Sequence, residues 1–338
     1  MSELRYDPIT DEWVVVATVR ARRPDSFAAV TQGKPQMACP FCYGEEHQTP
    51  PEVLAYRNGS APNGPGWQVR AFENRYPAFS LNGTPTLCCG ERYRKLVGSG
   101  RHEVMVLSPE HDRHMAHLTQ EQAELVIRAY VERYQWMEGN PNLHYVSVIT
   151  NQGKEAGATL EHPHSQIFAV PMVPKAVRRE MQKMVRYYQR TGRCLACDVV
   201  KHEQAGGERT VRENEHFICY IPYASAYPFD LRISPKQHSP EFTQMSPEQI
   251  SSFARMLREC SSMLKHSLGD PAYNAFLHAP PLHRDPPPGA MHWDYHIRPR
   301  LTTLGGFEHA TGLVINPTRP EDSAEYLRNQ LELGNVHL

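Results

Sequence analysis

Glu161-His162-Pro163-His164-Ser165-Gln166 lies between a glycine-bearing turn, residues 151–158, and the apolar run Ile167-Phe168-Ala169-Val170. A turn that runs into an apolar segment predicts a strand leaving a loop. Side chains alternate across a strand, so His162, His164 and Gln166 share one face at intervals of about 7 Å, while Pro163, Ser165 and Ile167 take the other. Two imidazoles and an amide in a row make poor core material, because each polar group needs a partner when buried. A histidine pair alone is common surface decoration, and it is the cysteines that give this one weight.

The chain has eight cysteines, four of them in two Cys-x-x-Cys pairs, Cys39/Cys42 and Cys194/Cys197. No export signal precedes them, so they read as thiols and metal ligands rather than disulfides, with Cys219 a small buried apolar residue. With 338 residues, 40% apolar and 22% charged, the composition is that of a soluble globular protein of one large domain or two ordinary ones. A net charge of −1 without a local basic run provides no electrostatic footprint for nucleic acid. No stretch has the length of a membrane span, and a cytoplasmic location is expected.

One order of features occurs twice, in residues 35–171 and again in 190–300. It consists of a Cys-x-x-Cys pair, two strands, a Ser-Pro turn with a histidine, a capped helix, a strand and a histidine-bearing strand. Ser108-Pro109-Glu110-His111 matches Ser234-Pro235-Lys236-Gln237-His238, and each histidine stands eight positions before a helix cap, Thr119 or Ser246, that continues with Glu-Gln. Helices are expected from Thr119 to about Met137, after Pro174 to near Gly192, after Ser246 and from about Pro320 to Leu331. Residues 50–66 read as irregular. The period is too long for a solenoid. The expectation is an α+β fold with a duplicated domain, residues 1–175 and 176–338, in which antiparallel sheets are covered by helices.

A tetrahedral zinc site takes two thiolates and two imidazoles. Cys39 and Cys42 are assigned His111 and His162 because the repeat offers the matching set Cys194, Cys197, His238 and His292. A further site of mixed ligands is suggested where His292, Asp294 and His296 alternate, with His278 on a neighbouring strand and Glu180 nearby. The zinc is expected to be structural, with a second metal ion in the C-terminal half.

Cys39-Pro40-Phe41-Cys42, Phe72-Glu73-Asn74-Arg75-Tyr76-Pro77, Asn151-x-Gly153 with Gly157, and His162-Pro163-His164-Ser165-Gln166 together resemble galactose-1-phosphate uridylyltransferases, the nucleotidyltransferase branch of the histidine triad superfamily. The resemblance runs from Arg5-Tyr6-Asp7-Pro8-Ile9-Thr10 to the C-terminal helix. It implies a duplicated histidine-triad-like fold whose second half has lost the active histidine. It makes His164 the nucleophile, with Gln166 on the phosphoryl oxygens. Arg20, Arg23, Asn74, Asn151, Gly153, Gly157 and Thr159 fall where the family binds the nucleotide, and Glu308 where it meets the sugar. A homodimer, a nucleotide sugar and a sugar 1-phosphate are the implied partners, and galactose metabolism the implied setting. Three positions depart from the pattern: Ser165 stands where many members have glycine and ADP-glucose phosphorylases have serine, Asp294 where a histidine is usual, and Thr302 where some members carry a substrate-binding lysine.

A neutral imidazole is a competent nucleophile near pH 7. The expected reaction therefore moves a nucleoside monophosphate from UDP-glucose to galactose 1-phosphate through a nucleotidyl-His164 intermediate, with ping-pong kinetics. The same fold with inorganic phosphate as acceptor gives an ADP-sugar or dinucleoside polyphosphate phosphorylase. A zinc-scaffolded RNA-binding module is the reading from another class, and the near-neutral charge without interleaved basic and aromatic residues counts against it.

Overall fold

A computed structural model describes residues 3–17, 39–81, 83–89, 92–283, 286–287 and 289–332. The first half runs β1 (Glu3–Asp7), β2 (Glu12–Val16), β3 (Glu52–Arg57), β4 (Trp67–Glu73), a small hairpin of β5 (Leu87–Cys89) and β6 (Arg94–Leu96), and β7 (Arg101–Val106). Helix α1 (Gln120–Glu138), β8 (Tyr145–Gln152) and β9 (His164–Val170) complete it. The second half has α2 (Lys175–Thr191), α3 (Leu195–Gly206), β10 (Thr210–Glu213), β11 (Phe217–Tyr220), β12 (Leu231–Pro235), α4 (Pro247–Leu268), β13 (Tyr273–His278) and β14 (Asp294–Pro299). It closes with α5 (Gly306–Thr311), β15 (Val314–Asn316) and α6 (Pro320–Glu332).

Ten of these strands form one antiparallel sheet in the order β3-β4-β7-β9-β8-β13-β14-β12-β11-β10. Outward from the central β8–β13 seam, the first half contributes β8, β9, β7, β4 and β3. The second contributes their counterparts in the same succession, so the sequence repeat becomes a pseudo-twofold of the sheet. At the seam Asn151 faces Asn274 and Thr150 faces Ala275. A separate three-stranded sheet pairs β1 with β2 and β2 with β15, tying the two ends of the chain together.

One face of the large sheet carries the core. In α1 the buried residues Ala123, Val126, Ile127, Tyr130, Tyr134 and Met137 recur at helical spacing. They meet Phe253, Leu257 and Leu264 of α4 and the strand residues Met105, Val148, Ile167 and Ala275 in one cluster. Because side chains alternate, the residues between these on β7 and β9, namely His102, Val104, Val106, His164, Gln166 and Phe168, occupy the opposite face.

Four local readings are corrected. Residues 50–66 contain β3, an edge strand held by its pairing with β4. Cys194 is followed directly by helix α3, which carries Cys197. Strand β9 begins only at His164, because the proline before it has no N–H for the ladder. Thr119 caps α1 by accepting the Gln122 N–H, but the Gln122 side chain reaches Gln68 and Leu107 carbonyls instead of closing a capping box. At Ser246 the box is closed, with proline at the first turn.

On the core face Glu103 is fully buried and accepts Arg133 Nε at 2.9 Å and Nη2 at 2.7 Å. Arg101 Nε donates to the same carboxylate at 2.9 Å. Removing Arg133 leaves the buried carboxylate with Arg101 alone. Arg133→Met is expected to destabilise the protein by about 3–5 kcal/mol in urea unfolding, and Arg133→Met/Glu103→Leu to recover most of that loss.

Candidate metal centres and active site

Cys39, Cys42, His111 and His162 converge, each offering one ligand atom, with all four atoms within 4.8 Å of one another. Cys42 Sγ lies 3.2 Å from His111 Nδ1 and 3.7 Å from His162 Nδ1. A tetrahedral zinc with sulfur and nitrogen at their usual bond lengths has an S···N edge of about 3.5 Å, so these atoms stand where zinc ligands would. His162 is fully buried, and its Nε2 lies 2.8 Å from the Ser108 carbonyl, which fixes Nδ1 as the metal-facing nitrogen. Burial holds the His162 ring down at about 4, and hence neutral as a ligand must be. Burial, followed by repulsion from Cys39, pushes the Cys42 thiol up to about 11, and a cation between the two sulfurs would reverse that.

The second set repeats the first. Cys194, Cys197, His238 and His292 also lie within 4.8 Å of one another. Cys197 Sγ is 3.4 Å from Nδ1 of both histidines, and His292 Nε2 is 3.2 Å from the Pro235 carbonyl. Both groups fit zinc by donor type, spacing and backing hydrogen bond. Neither leaves a protein-free position among its four ligands, so bound zinc supplies rigidity.

Glu180, His278, Asp294 and His296 come together differently from the mixed metal site expected of them. The two Cys/His sets are the ligand groups that close within 4.8 Å among the described residues, and this one forms a chain of ion pairs and hydrogen bonds in which burial keeps His296 neutral. His278 Nε2 is 2.8 Å from Glu180 and its Nδ1 3.6 Å from Asp294, while His296 Nε2 is 3.0 Å from Asp294. Arg232 stands 3.6 Å from both Asp294 and Asp7, supplying the cation that a metal would otherwise bring. Burial opposes charge on His278, but its hydrogen bonds to Asp294 and Glu180 push it up to about 10.

His164 opens β9 on the site face and is 7% exposed. Its Nδ1 lies 2.8 Å from the His162 carbonyl. A carbonyl only accepts, so Nδ1 carries the proton and Nε2 the lone pair. Burial lowers its pKa and keeps it neutral. Phe41, from the first cysteine turn, meets the ring edge-on at 5.2 Å and packs with Phe72, Val104 and Val106 beneath it. Gln166 follows on the same face, and its Oε1 lies 2.8 Å from His102 Nε2. Neither Phe41, Phe72 nor His102 was singled out as a site residue by the sequence, although His102, Val104 and Val106 alternate on one strand. Ser165 points the other way, fully buried between Tyr130 at 2.5 Å and Thr150 at 2.6 Å.

Among the described residues, two large clefts lie away from His164. One of about 500 Å³ is lined by Tyr6, Tyr187, Tyr223 and Arg232, and one of about 970 Å³ by His238, Phe242 and Pro281. Asn74 stands beside the His102–Gln166 pair. Asn151 accepts the Asn274 amide across the seam at 2.8 Å. Gly153 has φ +83°, and a Cβ there would meet Ala272 Cβ at 2.7 Å, so the turn requires glycine. Gly157 and Thr159 are exposed beyond it. Glu308 makes a local contact, accepting the Gly305 N–H at the start of α5. Arg20 and Arg23 lie outside the described residues.

Residues 1–174 match the family model described as galactose-1-phosphate uridyl transferase, N-terminal domain. The chain belongs to the galactose-1-phosphate uridylyltransferase family. A curated relative, ADP-glucose phosphorylase of Arabidopsis thaliana, is 33% identical over 96% of this chain and 92% of its own length. Galactose-1-phosphate uridylyltransferase of Thermotoga maritima is 30% identical over 97% and 98%. Among solved structures, the Arabidopsis ADP-glucose phosphorylase with bound ADP-glucose superposes with TM-score 0.82 at 31% identity, covering 97% of this chain and 99% of that one. The family fold accounts for the duplicated antiparallel sheet.

Two measurements test the metal and ion-pair assignments. Cys42→Ser and Cys197→Ser should each lose about half of the bound zinc by elemental analysis, retention of full zinc in either overturning its site. His278→Gln should destabilise by about 3–5 kcal/mol near pH 6. The folded pKa of His278 is raised from 6.5 to about 10, so its contribution is full below 6.5 and lost as pH climbs towards 10. The gap between wild type and variant should narrow over that window in urea unfolding.

Proposed function

We propose that this protein transfers a nucleoside monophosphate from a nucleoside diphosphate glucose to a phosphate acceptor, with His164 as the covalent carrier. The observation that carries the reading is the 2.8 Å contact of His164 Nδ1 with the carbonyl of His162. It holds one tautomer, with an unprotonated Nε2 on the site face, on a residue whose own side chain is fixed among metal ligands. Nε2 attacks the α-phosphorus, the bond from that phosphorus to the bridging oxygen breaks, and glucose 1-phosphate leaves with the electron pair. The Nδ1 proton stays on the ring, donated to the His162 carbonyl. An oxygen of the acceptor phosphate then attacks, the N–P bond breaks and the lone pair returns to Nε2. Both partners are ionised phosphates, so no general base is needed. The Gln166 amide stabilises charge on the equatorial oxygens.

Two donor–acceptor pairs suit this mechanism. UDP-glucose with galactose 1-phosphate is the pair implied by the family resemblance. ADP-glucose with inorganic phosphate is favoured by the similarity to the Arabidopsis phosphorylase over nearly the whole chain, and by Thr302 where resembling enzymes place a lysine on the sugar phosphate. Phosphorolysis of ADP-glucose is our first choice.

Incubation with each donor labelled in its α-phosphate, followed by denaturation, should leave one nucleotide per chain on wild type and none on His164→Ala, with zinc unchanged. Labelling that survives His164→Ala would exclude this carrier. Release of labelled ADP by phosphate supports the phosphorylase pair. Turnover only of UDP-glucose with galactose 1-phosphate supports the other.

A further inference from the structure

His102 lies on β7, buried, its ring stacked on Phe168 of β9 with centroids 4.0 Å apart and planes 21° from parallel. The Ala78 backbone N–H points at its Nδ1 from 3.2 Å. A backbone amide only donates, so Nδ1 must carry a lone pair. Burial lowers the ring's pKa and leaves it a single proton, which therefore sits on Nε2. Two groups approach that nitrogen: Gln166 Oε1 at 2.8 Å and Asn74 Nδ2 at 3.2 Å. Asn74 Oδ1 is already accepting the Tyr76 N–H at 2.8 Å, which turns its NH₂ end toward the ring. Of the two neighbours, only the Gln166 oxygen can take the proton.

A glutamine amide is nearly symmetric in shape and opposite in polarity at its two ends. Unrestrained, it presents either a donor or an acceptor to a ligand, and against a phosphoryl oxygen the acceptor end is repulsive. Holding the carbonyl oxygen from one side decides which end faces out. Alternation along β9 puts Gln166 on the same face as His164, two residues on.

We infer that His102 is a positioning residue for transfer: its Nε2–H anchors the Gln166 carbonyl so that the Gln166 NH₂ meets the phosphoryl oxygens of a nucleotide at His164. Asn74, His102 and Gln166 then form one polar row crossing β4, β7 and β9, in which each amide has a fixed orientation. The inference rests on His164 being the nucleotidyl carrier. It adds that the polarity of the oxyanion contact is set by a residue that never touches substrate.

His102→Phe keeps a ring against Phe168 and removes both ring hydrogen bonds. In single-turnover labelling it should slow nucleotidyl-His164 formation by roughly 10- to 100-fold, with donor Kd within about threefold of wild type. Gln166→Ala should lose a similar factor, and the double variant should be no slower than Gln166→Ala alone. A wild-type rate in His102→Phe, or losses that multiply in the double variant, overturns the inference. His102→Asn is read by the same criteria if the phenylalanine variant fails to retain zinc. A readout independent of activity is the ¹⁵N NMR tautomer of His102, expected to be Nε2–H from about pH 6 to pH 8. An Nδ1–H ring overturns the inference even if catalysis is intact. Absence of labelling in wild type with every donor, by contrast, fails the parent reading and leaves the tautomer result to decide the positioning contact.

Discussion

His162 faces two ways, and the site depends on it. Its ring lies 3.7 Å from Cys42 and 2.8 Å from the Ser108 carbonyl, while its own carbonyl accepts the His164 Nδ1–H at 2.8 Å. The Cys/His group, the loop after β7 and the His164 ring thus share one residue. Pro163 makes this possible because it has no N–H to draw into the ladder, and its carbonyl accepts from Leu107 at 3.1 Å, so the chain crosses to β7 before pairing begins. A metal held by these four ligands would fix the peptide unit whose carbonyl selects the His164 tautomer.

The second half has the same frame with different contents. Its Cys/His set, its backing carbonyl at Pro235 and its strand order all match. The divergence begins one step further on, where Asp294 takes the place of His164 and Arg232, paired with His296, the place of Val104, paired with Gln166. In the first half His164 sits over Phe41, Phe72, Val104 and Val106, an apolar floor that disfavours charge on the imidazole and keeps its lone pair available. In the second half, burial works against the Asp294 carboxylate, but His296, Arg232 and His278 hold it well below the usual range. Asp294, held by these three neighbours, keeps its charge inside the network. One frame therefore supports a reactive group where its surroundings are apolar and a structural knot where they are charged.

Much of this was legible in the sequence because it was written twice. Each Cys-x-x-Cys pair alone says little, but the recurrence of histidines at matched distances from Thr119 and Ser246 singled out all eight Cys and His residues that converge. Helices with caps and periodic apolar faces were legible for the same local reasons. Edge strand β3 was not, since its residues pair because β4 is there rather than by their own pattern. Nor was helix α3, whose start coincides with the cysteine knuckle. At Asp294 alternation predicts which side chains share a face, not that Arg232 arrives from β12 beside them. His102 was passed over for a related reason: its role depends on Ala78 and Gln166 supplying complementary hydrogen-bond partners.

Ser165 shows how alternation bears on specificity as well as on fold. Adjacent to His164 in sequence, it points into the opposite layer, where Tyr130 of α1 and Thr150 of β8 close a three-hydroxyl cluster beneath the strand. Ser165 is therefore not positioned to read a nucleobase by contact. Glycine there would remove the hydroxyl between Tyr130 and Thr150 and with it two buried hydrogen bonds. It would also free the backbone of β9 at the residue after His164. Any influence of this position on the choice of nucleotide must therefore pass through the placement of β9 itself, by small displacements of His164 and Gln166. In this fold the site face can be tuned from the core face, through the same strand that carries both.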